Sequence, residues 1–214
     1  MKSFINYKPV IAIDGTAGSG KGTLAKSLSR KLKFDHLDTG LLYRIYAYEH
    51  IKKKDIRKIS VNLKKWFGEK RNLKKLRTEE ISELASNISQ RKYVRDSLVT
   101  VQRDFANNPP KGKGSVIDGR DIGTIIVPKA EVKFFIDANI EIRALRRMNQ
   151  LNLNPKEFAK VLNQIIKRDS QDKSRSLSPL TKSQDSFFID TSNFNEKEVL
   201  DVAIEHIRKK TDFI

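Results

Sequence analysis

Residues 10–23 read Val-Ile-Ala-Ile-Asp-Gly-Thr-Ala-Gly-Ser-Gly-Lys-Gly-Thr, and few folds accommodate such a stretch. The apolar run 10–13 suits a short strand covered on both faces. Gly15, Gly18, Gly20 and Gly22 then permit a tight turn whose successive backbone N–H groups point into one concavity, and a helix starting there adds its positive end. The spacing Gly15-x4-Gly20-Lys21 fits the P-loop pattern, with Gly22 where Ser or Thr is usual and Thr23 one place later. Gly15, Thr16, Ala17, Gly18, Ser19, Gly20, Lys21, Gly22 and Thr23 are therefore candidates for holding nucleotide phosphates, with Lys21 as the mobile positive charge. A flexible glycine turn with a chance lysine is the plainer reading, but strand, turn and helix come in the order the motif requires.

Along the chain, short apolar strands are expected at 10–13, 34–37, 115–117, 132–136 and 187–189. Helical patterns alternate with them. Leu24, Leu28 and Leu32 recur at four-residue spacing in 20–33, an apolar stripe of the kind that lies on a sheet. A second helix covers 41–51, and a third runs from the N-cap Thr78 with its following acids Glu79 and Glu80 towards residue 105. Residues 107–114 are a loop. Asn139 starts a helix carrying Arg143, Arg146 and Arg147, Pro155 opens one that continues towards Arg168, and the last helix spans 195–210. The stretch 169–178 is polar. Alternation of this kind indicates an α/β fold with a doubly wound parallel sheet of about five strands and ligands at the strands' carboxyl ends. The 214 residues suit one domain around one core.

Composition excludes several chemistries. With no cysteine there is neither a disulfide framework nor a thiol nucleophile nor a cysteine-ligated metal. The N-terminal residues lack the apolar core of a signal peptide, and no apolar run approaches the ~20 residues of a membrane span. A soluble, cytoplasmic monomer without a membrane partner is expected. The net charge of +17 by itself suggests a polyanion partner, but residues 52–77 carry +10 of it, twelve basic side chains against Asp55 and Glu69. Abundant Lys, Asn and Ile, all with A/T-rich codons, account for part of the lysine excess.

Five further blocks add to the loop: Leu37-Asp38-Thr39-Gly40 with Tyr43-Arg44, Asp118-Gly119-Arg120-Asp121-Ile122-Gly123-Thr124, Arg143 with Arg146-Arg147-Met148, Arg168-Asp169, and Asp172 with Arg175 before Pro179-Leu180. In this order and approximate spacing, the chain resembles the bacterial cytidylate kinases, within the nucleoside monophosphate kinases. The resemblance covers nearly the whole chain except 52–77, which looks shorter than the insert of many bacterial members. It implies a P-loop kinase fold with helices flanking the sheet, a nucleotide-monophosphate-binding region at 39–106 that contains the short basic insert 52–77, and a lid at 168–178. It also implies ATP-dependent phosphorylation of CMP, with dCMP as a further acceptor, directly in line.

The chemistry follows from the residues themselves. Moving a phosphoryl group between two anions demands charge neutralisation and positioning more than a covalent nucleophile. Lys21 and the loop N–H groups suit the β- and γ-phosphates of ATP. Thr23 and Asp118 are candidate ligands of Mg²⁺, partly through water. Arg44 and Arg120, at element starts facing one crevice, present guanidinium forks suited to an acceptor phosphate. Arg143 and Arg147 are one helical turn apart, and either lie against ATP or form a basic helix face. Lys21, Asp118, Arg120 and Arg168 are the candidate catalytic group.

The resemblance adds that Thr39, Tyr43, Arg44 and Arg120 surround the acceptor phosphate, that Ser86, Arg95, Asp121 and Arg175 lie around the cytosine, and that Arg168 and Asp172 lie near the sugar. Ser86 and Arg95 are expected on one helix, two turns apart. Gln171 and Lys173 stand where many relatives carry arginine, and lysine gives no bidentate fork. Two other readings remain at this point: a kinase for UMP, AMP or another small acceptor, and a nucleic-acid-binding P-loop protein that uses 52–77 on phosphates.

Overall fold

The computed structural model describes residues 8–52 and 73–213. The expected basic insert at 52–77 thus lies for the most part outside the described residues. In chain order the elements are β1 (Val10–Gly15), α1 (Lys21–Leu32), β2 (Asp35–Asp38), α2 (Thr39–Ile51), a 3-10 turn at Leu73–Arg77, α3 (Glu79–Ile88) and α4 (Lys92–Asn107). Then come β3 (Ser115–Gly119), a π-helical turn at Ile122–Ile126, β4 (Val132–Asp137), α5 (Ile140–Leu151), a 3-10 turn at Pro155–Glu157, α6 (Phe158–Ser174), β5 (Phe187–Asp190) and α7 (Glu196–Lys210). Residues 38–102 form one compact unit, and 1–37 with 103–214 form another.

The sheet has the order β2-β3-β1-β4-β5. β1 pairs in parallel with β3 on one side and β4 on the other, and β4 pairs in parallel with β5. The glycine loop therefore leaves the central strand. Four of the strands extend past their apolar runs to an aspartate, Asp14, Asp118, Asp137 or Asp190, which still holds its place in the ladder. Carboxylates are thereby lined up at one edge of the sheet, where successor turns begin.

One face of the sheet is covered by α1 and α7. Leu24, Ala25 and Leu28 of the first and Val199, Ala203, Ile204 and Ile207 of the second bury against Ile11, Ile13, Val116, Val132, Phe134, Ile136 and Ile189. Leu28 is fully buried, so Leu28→Ala would cost about 2–5 kcal/mol. α7 starts with a capping box: the Asn195 side chain accepts the N–H groups of Lys197 and Glu198, and Glu198 accepts that of Asn195. A second small core joins α5 to α6 through Ala144, Met148, Val161 and Ile165. In the unit 38–102, α2 packs on α3 and on the turn 73–77, with Leu42, Ile45, Tyr46, Leu76, Ile81, Ala85 and Ile88 buried.

Two expectations need correction. The helix expected from 78 towards 105 is two helices, α3 and α4, broken at Ser89, Gln90 and Arg91. Ile81, Ala85 and Ile88 share a face, but Val94 lies six residues beyond Ile88, about 240° around a continuous helix. Both Ile88 and Val94 are fully or almost fully buried, which one straight helix would not allow. The hydroxyl of Ser89 also bonds the carbonyl of Ser86 at 2.7 Å, a local alternative to helix continuation. Ser86 and Arg95 accordingly sit on different helices. The second correction concerns the polar stretch 169–178, whose first six residues continue α6 to Ser174. Asp169 and Asp172 are buried there because cations from other elements reach them.

Candidate functional site

Only glycine fits where the loop leaves β1: a Cβ on Gly15 would stand 2.1 Å from the Ile136 carbonyl oxygen. Gly18 and Gly20 take φ of 76° and 91°, the left-handed region that favours glycine. Thr16 donates its hydroxyl to Asp137 at 2.5 Å and its N–H to Ile136 at 3.3 Å, and Ser19 donates to the Thr16 carbonyl at 3.0 Å. Lys21 Nζ also donates to that carbonyl, at 3.2 Å, which holds its charge over the loop. Thr23 is exposed in the first turn of α1, next to Gly22.

The loop is braced from beneath. Arg143 is buried and donates to the Ala138 carbonyl at 2.9 Å, the Ala17 carbonyl at 3.1 Å and the Asp169 carboxylate. Asp169 in turn accepts the Ala17 N–H at 3.2 Å. Arg147 reaches Gln150 at 3.0 Å instead. Arg143 thus supports loop backbone, and Arg147, one turn on and half-buried, bonds a neighbour on its own helix.

The segment after β3 carries Asp118, Arg120 and Asp121. Asp118 is buried, and its Oδ1 lies 2.6 Å from His36 Nε2 on β2. A Cβ built on Gly22 would be 3.6 Å from Asp118 Oδ2, so the carboxylate stands beside the start of α1. The Asp118 carboxylate and the Thr23 hydroxyl, one residue after Gly22, are both oxygen donors of the type Mg²⁺ takes. Asp14 anchors the next turn, accepting the N–H groups of Ile122 and Gly123, each at 2.8 Å. Burial pushes the Asp14 carboxyl up to about 7, against the pull of those two donors.

Asp172 gathers the arginines. Its Oδ2 accepts from Arg120 Nε at 2.8 Å and from Arg168 Nε at 3.0 Å. Arg175 lies 3.8 Å from the other oxygen and 3.9 Å from Asp121. Burial alone would raise the Asp172 carboxyl, but Arg120, Arg168 and Arg175 hold it well below the usual carboxylate range. Burial likewise opposes the Arg120 charge, yet Asp172 outweighs it and the guanidinium is held more firmly protonated. For Arg168 burial prevails and lowers the value, though an arginine stays cationic at neutral pH.

Within 38–102, Asp38 caps α2 by accepting the Leu41 N–H at 3.0 Å, and Thr39, Tyr43 and Arg44 follow in its first two turns. Tyr43 lies one turn from Thr39, and its ring centroid is 6.0 Å from the guanidinium carbon of Arg95, cation–π distance. Arg95 is buried and donates to the Ser89 carbonyl at 3.3 Å, while Ser89 bonds Ser86, which is buried. The structure thus links Tyr43, Arg95 and Ser86 through Ser89. It groups the loop with Asp118, Arg120, Asp121, Arg168, Asp172 and Arg175 in the other unit.

Four residues of this architecture lie outside the sequence-based candidates. Asp169 holds loop backbone, and His36 holds Asp118. Thr191, just past β5, donates its hydroxyl to the Ser19 carbonyl at 2.9 Å and is itself held by Arg146 at 2.8 and 2.7 Å. Arg146 and Asp169 stand in blocks already read in the sequence, inside α5 and α6, whereas His36 lies within β2 and Thr191 just past β5.

Comparisons with known proteins identify the family. The family model described as Cytidylate kinase matches residues 11–209. The cytidylate kinase of Caldanaerobacter subterraneus subsp. tengcongensis is 40% identical over 223 residues, 97% of this chain and 98% of that one. That of Paramagnetospirillum magneticum is 38% identical over 207 residues, 94% of this chain and 98% of its own. Among solved structures, an uncharacterized protein from Eubacterium ventriosum has a TM-score of 0.56 at 16% identity, with 94% of this chain and 99% of that chain covered. A sugar kinase from Janibacter sp. HTCC2649 has a TM-score of 0.51 at 12% identity, covering 94% and 95%. At those identities the structural likeness is one of fold. A P-loop on the central strand, the blocks expected from the sequence, and relatives matched almost end to end lead to one conclusion: the chain belongs to the cytidylate kinase family.

Proposed function

We propose that this chain transfers the γ-phosphoryl group of ATP to CMP, and to dCMP as a further acceptor, releasing ADP and the nucleoside diphosphate. Family membership supports this reading, and one observation carries its mechanism. Helix α6 presents Arg168 beside Asp169, which bonds the Ala17 N–H of the loop, and one turn before Asp172, which collects Arg120. Donor-binding backbone and a paired guanidinium group are therefore tied to one helix.

In this reading the loop N–H groups and Lys21 hold the β- and γ-phosphates. Thr39, Tyr43, Arg44 and Arg120 take the acceptor phosphate, Ser86, Arg95, Asp121 and Arg175 the base and its surroundings, and Arg168 with Asp172 the sugar. Arg120 and Arg168, both paired on Asp172, stabilise charge spread over the transferring phosphoryl oxygens. Mg²⁺, held by Asp118 and Thr23 partly through water, supplies charge neutralisation when bound. Residues 168–178 act as the lid, whose closure excludes water from the reacting phosphates.

A coupled ADP-release assay with CMP, dCMP, UMP and AMP offered separately tests the proposal. Turnover is expected with CMP and dCMP. Robust turnover with AMP and none with CMP would refute the acceptor assignment while leaving the kinase class intact.

A further inference from the structure

The two oxygens of Asp118 have different neighbours. Oδ1 lies 2.6 Å from His36 Nε2, with the carboxylate 6% and the imidazole 17% exposed. Facing a carboxylate at this distance, Nε2 is the protonated ring nitrogen and donates. Oδ2 is turned to the first turn of α1, where a side chain begun at Gly22 would place its Cβ 3.6 Å away. A hydrogen bond to one oxygen stops the carboxylate from rotating, and so fixes which oxygen meets the nucleotide side. Gly22 complements this: a Ser or Thr at that place would direct its hydroxyl toward Oδ2, whereas here the hydroxyl stands one residue later, on Thr23.

We propose that His36 is a positioning residue for the divalent cation, presenting Asp118 Oδ2 to it by occupying Oδ1. The inference rests on the reading that Asp118 is a cation ligand. Partners behind a ligand restrict its rotation and thereby raise metal affinity, and their loss costs about 10–100-fold. His36 sits on β2, beside β3 in the sheet, so the bond links two neighbouring strands. It adds no contact to either nucleotide, so cation affinity is affected while acceptor affinity is spared.

The test is Mn²⁺ binding to the enzyme–ADP complex, followed by the electron-paramagnetic signal of free Mn²⁺, together with initial rates across a Mg²⁺ series. His36→Leu should weaken Mn²⁺ about tenfold and shift the Mg²⁺ dependence by the same factor. At saturating Mg²⁺ kcat should stay within about threefold, and KM for CMP should be unchanged. His36→Gln, whose amide can place a donor where Nε2 stands, should recover most of the affinity. Should the leucine variant not fold, His36→Asn, too short to reach, should show the same tenfold loss. Unaltered Mn²⁺ affinity in the Leu or Asn variant, or a kcat loss that excess Mg²⁺ does not restore, overturns the proposal. Asp118→Asn separates the two levels. If it leaves Mn²⁺ affinity intact, the assignment of Asp118 itself fails; if it weakens Mn²⁺ while His36→Leu does not, only the role of His36 fails.

Discussion

Replacing Asp172 by asparagine keeps its size and removes its charge. Arg120 and Arg168 lose the charged oxygen they share at 2.8 and 3.0 Å, and Arg175 loses the carboxylate charge 3.8 Å away while keeping Asp121 at 3.9 Å and its bond to the Ser178 carbonyl. Stripping one partner from a buried ion pair costs about 3–5 kcal/mol, because the remaining charge stays desolvated. The Arg168 side chain is 29% exposed, so water relieves part of the loss and the lower end, about 3 kcal/mol, applies. For a chain of this size that lowers Tm by roughly 6–12 °C. Thermal unfolding followed by circular dichroism at pH 7 measures it. Asp96→Asn, which breaks the exposed Lys92–Asp96 pair, is the control and should cost no more than about 0.5 kcal/mol. Because Asp172 is held below the usual carboxylate range, its contribution is complete above the unfolded value near 4 and is lost only as pH falls through the folded one. The gap between wild type and variant should therefore be equal at pH 6 and pH 8. A Tm drop under about 2 °C, well short of the range above, would show that the guanidinium groups are not gathered on Asp172 in solution.

Lys21→Met should lower kcat/KM by roughly 10²–10³-fold, the effect of removing one charged stabiliser of a developing anion, while Tm stays close to wild type; an active variant refutes its role. Arg95→Ala should raise KM for CMP at least about tenfold, the loss of a buried charge-assisted contact, with KM for ATP little changed; equal losses would place Arg95 elsewhere in the mechanism. Asp14, pushed up to about 7 by burial, binds a proton more readily folded than unfolded. It therefore supports the fold below pH 4, and that support is lost as pH rises through about 7. Wild type should lose stability relative to Asp14→Asn between pH 5 and pH 8, and a pH-independent difference in Tm would contradict the burial argument.

The loop was legible because its signal is local: an apolar run, glycines at fixed offsets and a lysine suffice to define strand, turn and helix. The five strands were legible for the same reason, though their carboxyl ends were not, since Asp14, Asp118 and Asp137 keep ladder places that hydropathy alone assigns to loops. The break between α3 and α4 was written in the phase of Ile88 against Val94, a signal that a strong N-cap at Thr78 and a run of good helix formers obscured. The extension of α6 was hidden by polarity, because Asp169 and Asp172 read as solvent-seeking until Arg143 and Arg120 arrive from distant sequence. His36 and Thr191 could be found only by knowing that β2 lies beside β3 and β5 beside β4. Tertiary order, not composition, makes them part of the site.

The loop's first turn rests on β4: the Thr16 N–H bonds the Ile136 carbonyl, and that same carbonyl leaves no room for a methyl group on Gly15. A nascent chain thus carries its whole phosphate-binding motif long before it owns a phosphate-binding surface. The strand that shapes it is synthesised more than a hundred residues later, so anion affinity is acquired late, with closure of long-range strand pairing. An N-terminal fragment ending before β4 would be inert toward nucleotide despite an intact consensus.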